Sequence, residues 1–327
     1  MKNLLLTTAI TLGMTGAALA NDSTIDQIGL SNMATVDQTG GSEGISGIEQ
    51  IGGSHQASVT QSDNPNNGTP NFNVASNTSN IYQEGSGAEA TVNQTGDPNG
   101  NPGNVSTIEQ FNDGPPAAVA IVEQDGTNNS SFVSQGRDVD PLDRRGQTAD
   151  VSQIGHDNSS SVIQRGNLNT ANVTQTADGN TSIVDQSGLD NLADVLQSGN
   201  GNLSTVTQSA NFGTVDVEQS GDNNISDVTQ SGRANSSVAA LILQDGNDNT
   251  STVLQTSLVA GAGSANQFAE VTQSTDGNSS YIEQDGGDPV ADASNPGNSA
   301  SVFQMVTAGN VSTIYQSGAG NTATVNQ

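Results

Sequence analysis

The sequence predicts an all-β fold, a two-sheet parallel β-solenoid or cross-β arch of about twelve 22-residue rungs with two strands per rung. Three observations carry that expectation. A Gln recurs twenty-four times from Gln27 to Gln327, at a spacing of eleven without a break between Gln153 and Gln230. Val or Ile stands two residues before every one of these Gln. Four residues before them Ser and Ala alternate, with Val215 the single departure, so a Ser half, N-x-S-x-[IV]-x-Q, is followed by an Ala half, N-x-A-x-[IV]-x-Q.

Each half reads as one strand, because its key residues fall at every second position and share one face of an extended chain. Asn180, Ser182, Val184 and Gln186 make such a face, and Asn191, Ala193, Val195 and Gln197 make the next. The same column positions are taken by Ser204, Val206 and Gln208, by Gln219, and by Ser226, Val228 and Gln230. At the C-terminal end they are Ser312, Ile314 and Gln316, then Ala323, Val325 and Gln327. The positions between hold residues that suit water, such as Thr24 and Asp26 or Asp216 and Glu218. After the Gln comes a segment rich in Gly, Asn and Asp, such as Ser187 to Asn191, read as a turn because these residues tolerate positive φ.

Stacking in parallel is favoured over hairpins. A hairpin would set each Ser half against an Ala half, whereas the alternation keeps Ser over Ser and Ala over Ala. Buried Asn and Gln fit stacked copies, since an amide can donate to one neighbour and accept from the other. A rung alone is not viable: burying its two branched residues contributes about 3–6 kcal/mol, while ordering about 22 residues costs on the order of 20–40 kcal/mol. Repetition, with backbone ladders on both sides of each rung, must offset the difference. The first and last units show no polar cap, and an uncapped edge recruits further strands.

Residues 1–20 read as a secretory signal peptide: Lys2 begins it, an apolar stretch runs from Leu4 to Leu12, and Ala18-Leu19-Ala20 supplies the small-x-small cleavage site. The solenoid of twelve repeats then occupies 21–327, with loop insertions expected near 62–76, 95–103, 136–146, 256–266 and 285–297. No later segment reaches the length of a transmembrane span. The chain of 327 residues has no Cys, so it folds without disulfides. Its 34 Asp and Glu against 6 Lys and Arg give a net charge of -28, and -29 once Lys2 is removed. That charge excludes a nucleic-acid partner, which needs clustered cations. The nearest approach to such a cluster, Arg137, Arg144 and Arg145, sits among Asp138, Asp140 and Asp143. Spread along a rod of about 58 Å, the charge should delay self-association, and salt, divalent cations or acid should hasten it.

Gln residues eleven apart in alternating Ser and Ala halves make the chain similar to curlin repeats, the units of bacterial curli fibre subunits, with the pattern S-x5-Q-x-G-x-x-N-x-A-x3-Q. Gln186, Gly188, Asn191, Ala193 and Gln197 fall in place, as do Gln316, Gly318, Asn321, Ala323 and Gln327. Where the family has its leading Ser this chain usually has Asn, with Ser two positions further in. The resemblance implies a secreted structural subunit that assembles end to end into extracellular amyloid fibres at the bacterial cell surface, for adhesion and biofilm matrix. Its implied partners are copies of itself, a curli-type nucleator and an outer-membrane export pore. Family members usually carry a Gly-rich targeting stretch before the first repeat; here the first repeat follows residue 20 directly.

Other functions are less well supported. Turns such as Asp245 to Asn249 and Asp222 to Asn224 are rich in oxygen ligands, which keeps a calcium-binding repeat protein, or a monomeric acidic surface adhesin, as the alternative. A regular outward Thr array, which an ice-binding solenoid needs, is lacking. No catalytic, cofactor or metal residues are expected, and the chain does not read as an enzyme: His55 takes a position usual for Asn, His156 lies in a turn, and the carboxylates are dispersed.

Overall fold

The computed structural model describes residues 21–39, 44–63, 76–96, 102–136, 146–232, 238–257, 267–286, 297–318 and 320–327. The expected signal peptide, the three clustered Arg and most of each expected insertion lie outside the described residues.

Twenty-four strands alternate between two sheets. One sheet holds β1 (Asp22–Leu30), β3 (Ile45–Gly53), β5 (Thr78–Ser86), β7 (Val105–Asp113), β9 (Ser130–Gln135), β11 (Ser159–Asn167), β13 (Thr181–Leu189), β15 (Leu203–Gln208), β17 (Ile225–Gly232), β19 (Thr250–Ser257), β21 (Ser279–Gly286) and β23 (Val311–Ser317). The other holds β2 (Met33–Thr39), β4 (Gln56–Asp63), β6 (Glu89–Gly96), β8 (Val119–Thr127), β10 (Thr148–His156), β12 (Thr170–Gln175), β14 (Leu192–Gln197), β16 (Gly213–Gln219), β18 (Val238–Gln244), β20 (Gln267–Gln273), β22 (Ser299–Gln304) and β24 (Thr322–Asn326). Every pairing is parallel and joins a strand to the one two places on, so the chain is a β-solenoid. Register sets like on like: Ser182 on Ser204, Val184 on Val206, Gln186 on Gln208, and in the second sheet Ala171 on Ala193 and Val173 on Val195. A slip of one residue would turn every Val and Gln outward, so the period of two locks the register.

The core is one column of Val and Ile from each sheet, with Ala from the second sheet, from Ile48 to Ile314. Val215, the departure from Ala, is fully buried between Ala193 and Ala240. Ser fills the equivalent column of the first sheet. From Ser46 to Ser312 each of these Ser is buried, and no Oγ has a hydrogen-bond partner in the protein. Neighbouring hydroxyls are one rung apart, about 4.8 Å, which is beyond bonding reach. Because an unmet buried hydroxyl costs about 1–3 kcal/mol, Ser182→Ala is expected to raise stability by about 1 kcal/mol. Urea unfolding of dilute monomer checks this, and a loss of stability would contradict it.

The turns are tighter than expected. Ser187, Gly188 and Leu189, read from sequence as turn, belong to β13, and the reversal is made by Asp190 and Asn191, Asp190 at φ 57°. Likewise His156 closes strand β10 rather than lying in a turn. Glycine at positive φ makes this possible, because the strand bends at Gly126 (φ 124°) and Gly155 (φ 121°) without leaving its parallel ladder.

Candidate functional site: two amide ladders and two open ends

The Gln columns form two hydrogen-bonded ladders through the core. In the first sheet each Gln Nε2 donates to Oε1 of the Gln one rung toward the C-terminus, from Gln27 to Gln316, at 2.6–3.0 Å. In the second sheet the same bonds run from Gln38 to Gln327 at 2.7–3.0 Å. From Gln50 onward the second proton of each Nε2 crosses the core to a backbone carbonyl of the facing strand, as Gln186 does to Thr170 (2.8 Å) and Gln197 to Thr181 (3.1 Å). A Gln therefore ties three strands together. All the amides point the same way, so the rod is polar: N–H groups lead toward β23 and β24, carbonyls toward β1 and β2.

The Asn columns work differently from the sequence expectation of stacked amides. Asn180 Oδ1 accepts the backbone N–H of Asn202, and Asn202 Oδ1 accepts that of Asn224. The Asn side chain thus caps the backbone at the strand entrance of the next rung instead of bonding to its own copy, because it is one methylene too short to reach the core axis. Its Nδ2 turns to the reversal, as in Asn191 to the Ser187 carbonyl (2.9 Å), while Nδ2 of Asn180 and Asn202 is buried without a partner. Asn321, donating to Asn298 Oδ1 at 3.2 Å, is an amide-to-amide exception.

The remaining ladder residues fall as follows. Asn180, Ser182, Val184, Gln186, Asn191, Ala193, Val195, Gln197, Ser204, Val206, Gln208, Gln219, Ser226, Val228 and Gln230 are all buried, and Ser312, Ile314 and Gln316 nearly so. Ala323 and Val325 are half-buried and Gln327 is exposed, since they belong to the outermost rung. A further column was missed in the sequence: three residues after Gln, Asp178, Asn200, Asp222, Asn247 and Asp276 each accept a backbone N–H from the preceding rung. Its signal was present as Asx recurring at that offset. These side chains are spent on the backbone, and among the described residues no group of three or more His, Asp or Glu is placed to hold a metal ion.

His55 is fully buried and takes over the Asn role: its Nδ1 accepts the Ala88 N–H (3.2 Å), so Nε2 carries the proton and faces the Ile51 carbonyl (3.2 Å). Burial lowers its pKa from 6.5, against the opposing pull of the Ile51 and Gly85 backbone. Protonation would place a donor against the Ala88 N–H. The stability His55 contributes is therefore present above about pH 6.5 and is lost as pH falls toward its depressed value. His55→Asn is expected to remove that acid loss, at most about 1.4 kcal/mol per pH unit, as read from the exchange rate of the Ala88 amide. On the outer face the opposite sign holds. Asp150 is raised from 3.8 by burial and by Glu123, and Asp216 by burial and by Asp194, so acidification through their raised values relieves a penalty.

The two ends are edges. Among the described residues β1, β2, β23 and β24 each pair on one side. Large apolar side chains are exposed there: Leu30 is 81% accessible at one end, and Val311 and Tyr315 are 69% and 71% accessible at the other. Column positions correspond from end to end, so one copy set on another in register brings Gln316 to Gln27 and Gln327 to Gln38. The aspartates of the first rung, Asp22, Asp26 and Asp37, then meet Val311, Tyr315 and Asn326, and no like charges oppose each other.

A family description, the Curlin associated repeat, matches five overlapping stretches: 147–176, 155–188, 166–195, 188–221 and 221–256. No curated protein matches the chain.

Proposed function

We propose that the chain, which matches the Curlin associated repeat over residues 147–256, is a secreted structural subunit that stacks end to end into curli-like amyloid fibres outside the bacterial cell, serving adhesion and biofilm matrix. The observation that carries this reading is the pair of Gln ladders running unbroken through twelve rungs and ending, among the described residues, at strands paired on one side. A polar ladder is extended by the same bond that built it, with the N–H end of one copy donating to the carbonyl end of the next. The fold and the repeat are those of a structural protein rather than an enzyme. A curli-type nucleator and an outer-membrane export pore are the partners the family suggests, besides further copies of the chain.

Fibre diffraction and microscopy of the purified chain from Asn21 test the proposal. The expected result is fibres with reflections near 4.8 Å along the axis and about 10 Å across it. Thr313→Pro supplies the directional check. Val311, Thr313 and Tyr315 alternate with the residues that bond β21, so Thr313 turns its N–H to the open end, and a proline there removes a donor needed only by an incoming copy. This variant should fold, yet stop elongation when added to growing seeds. A chain that stays monomeric at high concentration would overturn the proposal in favour of a free-standing adhesin or calcium-binding solenoid.

A further inference from the structure

The outward face of the second sheet is unevenly charged. Its middle strands, β8 to β16, carry Glu123, Asp150, Asp194, Asp216 and Glu218. The strands beyond them are apolar on the same face: Leu241 and Leu243 of β18, Phe268 of β20 and Phe303 of β22 all turn away from the core and are half-buried or exposed. Over β18, β20, β22 and β24 this face bears one carboxylate, Glu270, and no cation. In-register stacking, the reading proposed above and the one on which this inference rests, places β2 and β4 of the next copy directly beyond β24. Among the side chains described on this face, those two strands add Asp37.

We propose that this strip, completed only across the junction between two stacked copies, is where a second fibre of the same chain packs side by side. Area decides between monomer and fibre. In one molecule the strip is four strands high, about 19 Å by 20 Å, so that two copies would bury about 800 Å² in all, the range of adventitious contacts. Across a junction it is six strands high, about 29 Å by 20 Å, and two fibres bury about 1,200 Å², the lower limit of a specific interface. The strip then recurs once per subunit, so the contacts of one fibre act together and each need be only weak. On the middle of the same sheet, Glu123, Asp150, Asp194, Asp216 and Glu218 hold rods apart. Lateral pairing is thereby coupled to prior end-to-end growth, and the free subunit does not pair through this face.

Fibres of the wild type, of Leu243→Glu/Phe303→Glu and of Glu270→Gln, grown alike and imaged by electron microscopy at low and physiological ionic strength, test this. Wild-type fibres should pair, more so with salt. The double variant should elongate at the wild-type rate as single filaments, its paired length at least about fivefold lower because like charges then face each other in a dry contact. Glu270→Gln should pair more readily than wild type, a readout that survives if the double variant folds poorly. Single wild-type filaments at every salt concentration, or equal pairing in all three proteins, would overturn the lateral contact and leave end-to-end assembly intact. Failure of the wild type to form any fibre would overturn both.

Discussion

Gln186→Glu is expected to open the middle of the solenoid at neutral pH. Gln186 donates to Gln208 and to the Thr170 carbonyl, and accepts from Gln164, with no exposure to water. A carboxylate keeps only the acceptor role. Two carbonyl oxygens would then face a negative charge in the core, and the loss is about 3–5 kcal/mol, the scale of an uncompensated buried charge. The folded state reduces that cost by holding the new acid protonated, so its folded pKa rises above the ordinary value of about 4.3. The sign follows: the variant is least destabilised below about pH 4.3 and loses stability as pH rises through the raised folded value. Since each rung leans only on its neighbours, the damage is local. Hydrogen exchange should show lost protection over β11 to β15 at pH 7, recovering toward pH 4, while β3 and β21 stay protected. Uniform protection at pH 7 would mean that the ladder contributes little.

Gly126→Ala is expected to be nearly as costly, for a steric reason. A Cβ at Gly126 would lie 2.0 Å from the Gly155 carbonyl oxygen, and its φ of 124° is one that side chains rarely adopt. The obstacle is the backbone of the next rung, which cannot move without opening the β8–β10 ladder. A loss of at least about 3 kcal/mol follows from the clash and the strained φ together. Gly47→Ala is the control. Its Cβ would face only the Asn80 side chain, at 3.0 Å on the outer face, which can swing away. Urea unfolding should separate the two variants clearly; equal effects would show that glycine at Gly126 serves no close approach.

Much of this architecture was legible because the repeat is written in single residues. Val184 and Gln186 two apart place both on one face, and Ser182 recurring as Ser204 leaves parallel register as the arrangement that keeps like on like. The role of Asn180 was not legible. An amide in a repeating column reads as a stacked amide whether its stem has one methylene or two, and only the path of the backbone shows that Oδ1 of Asn meets a main-chain N–H. Leu189 and His156 read as turn residues because glycine-rich segments read as reversals, yet a glycine at φ above 100° lets the ladder continue around the bend. The Asp178 to Asp276 column is hidden for a related reason: acidic turns look like solvent-facing or metal-binding segments until the N–H groups they accept are in view.

By itself the sequence determined what alternation and period can carry: strands, their inward faces, their pairing in parallel and the number of rungs. These depend on spacings of two and eleven residues along one chain. Tertiary structure alone decided the common direction of the amides, the switch of Asn to backbone capping, the place of each reversal and the sparsely charged strip on the second sheet. Each of these depends on atoms brought together from rungs twenty-two or more residues apart, where a difference of one bond length chooses the partner.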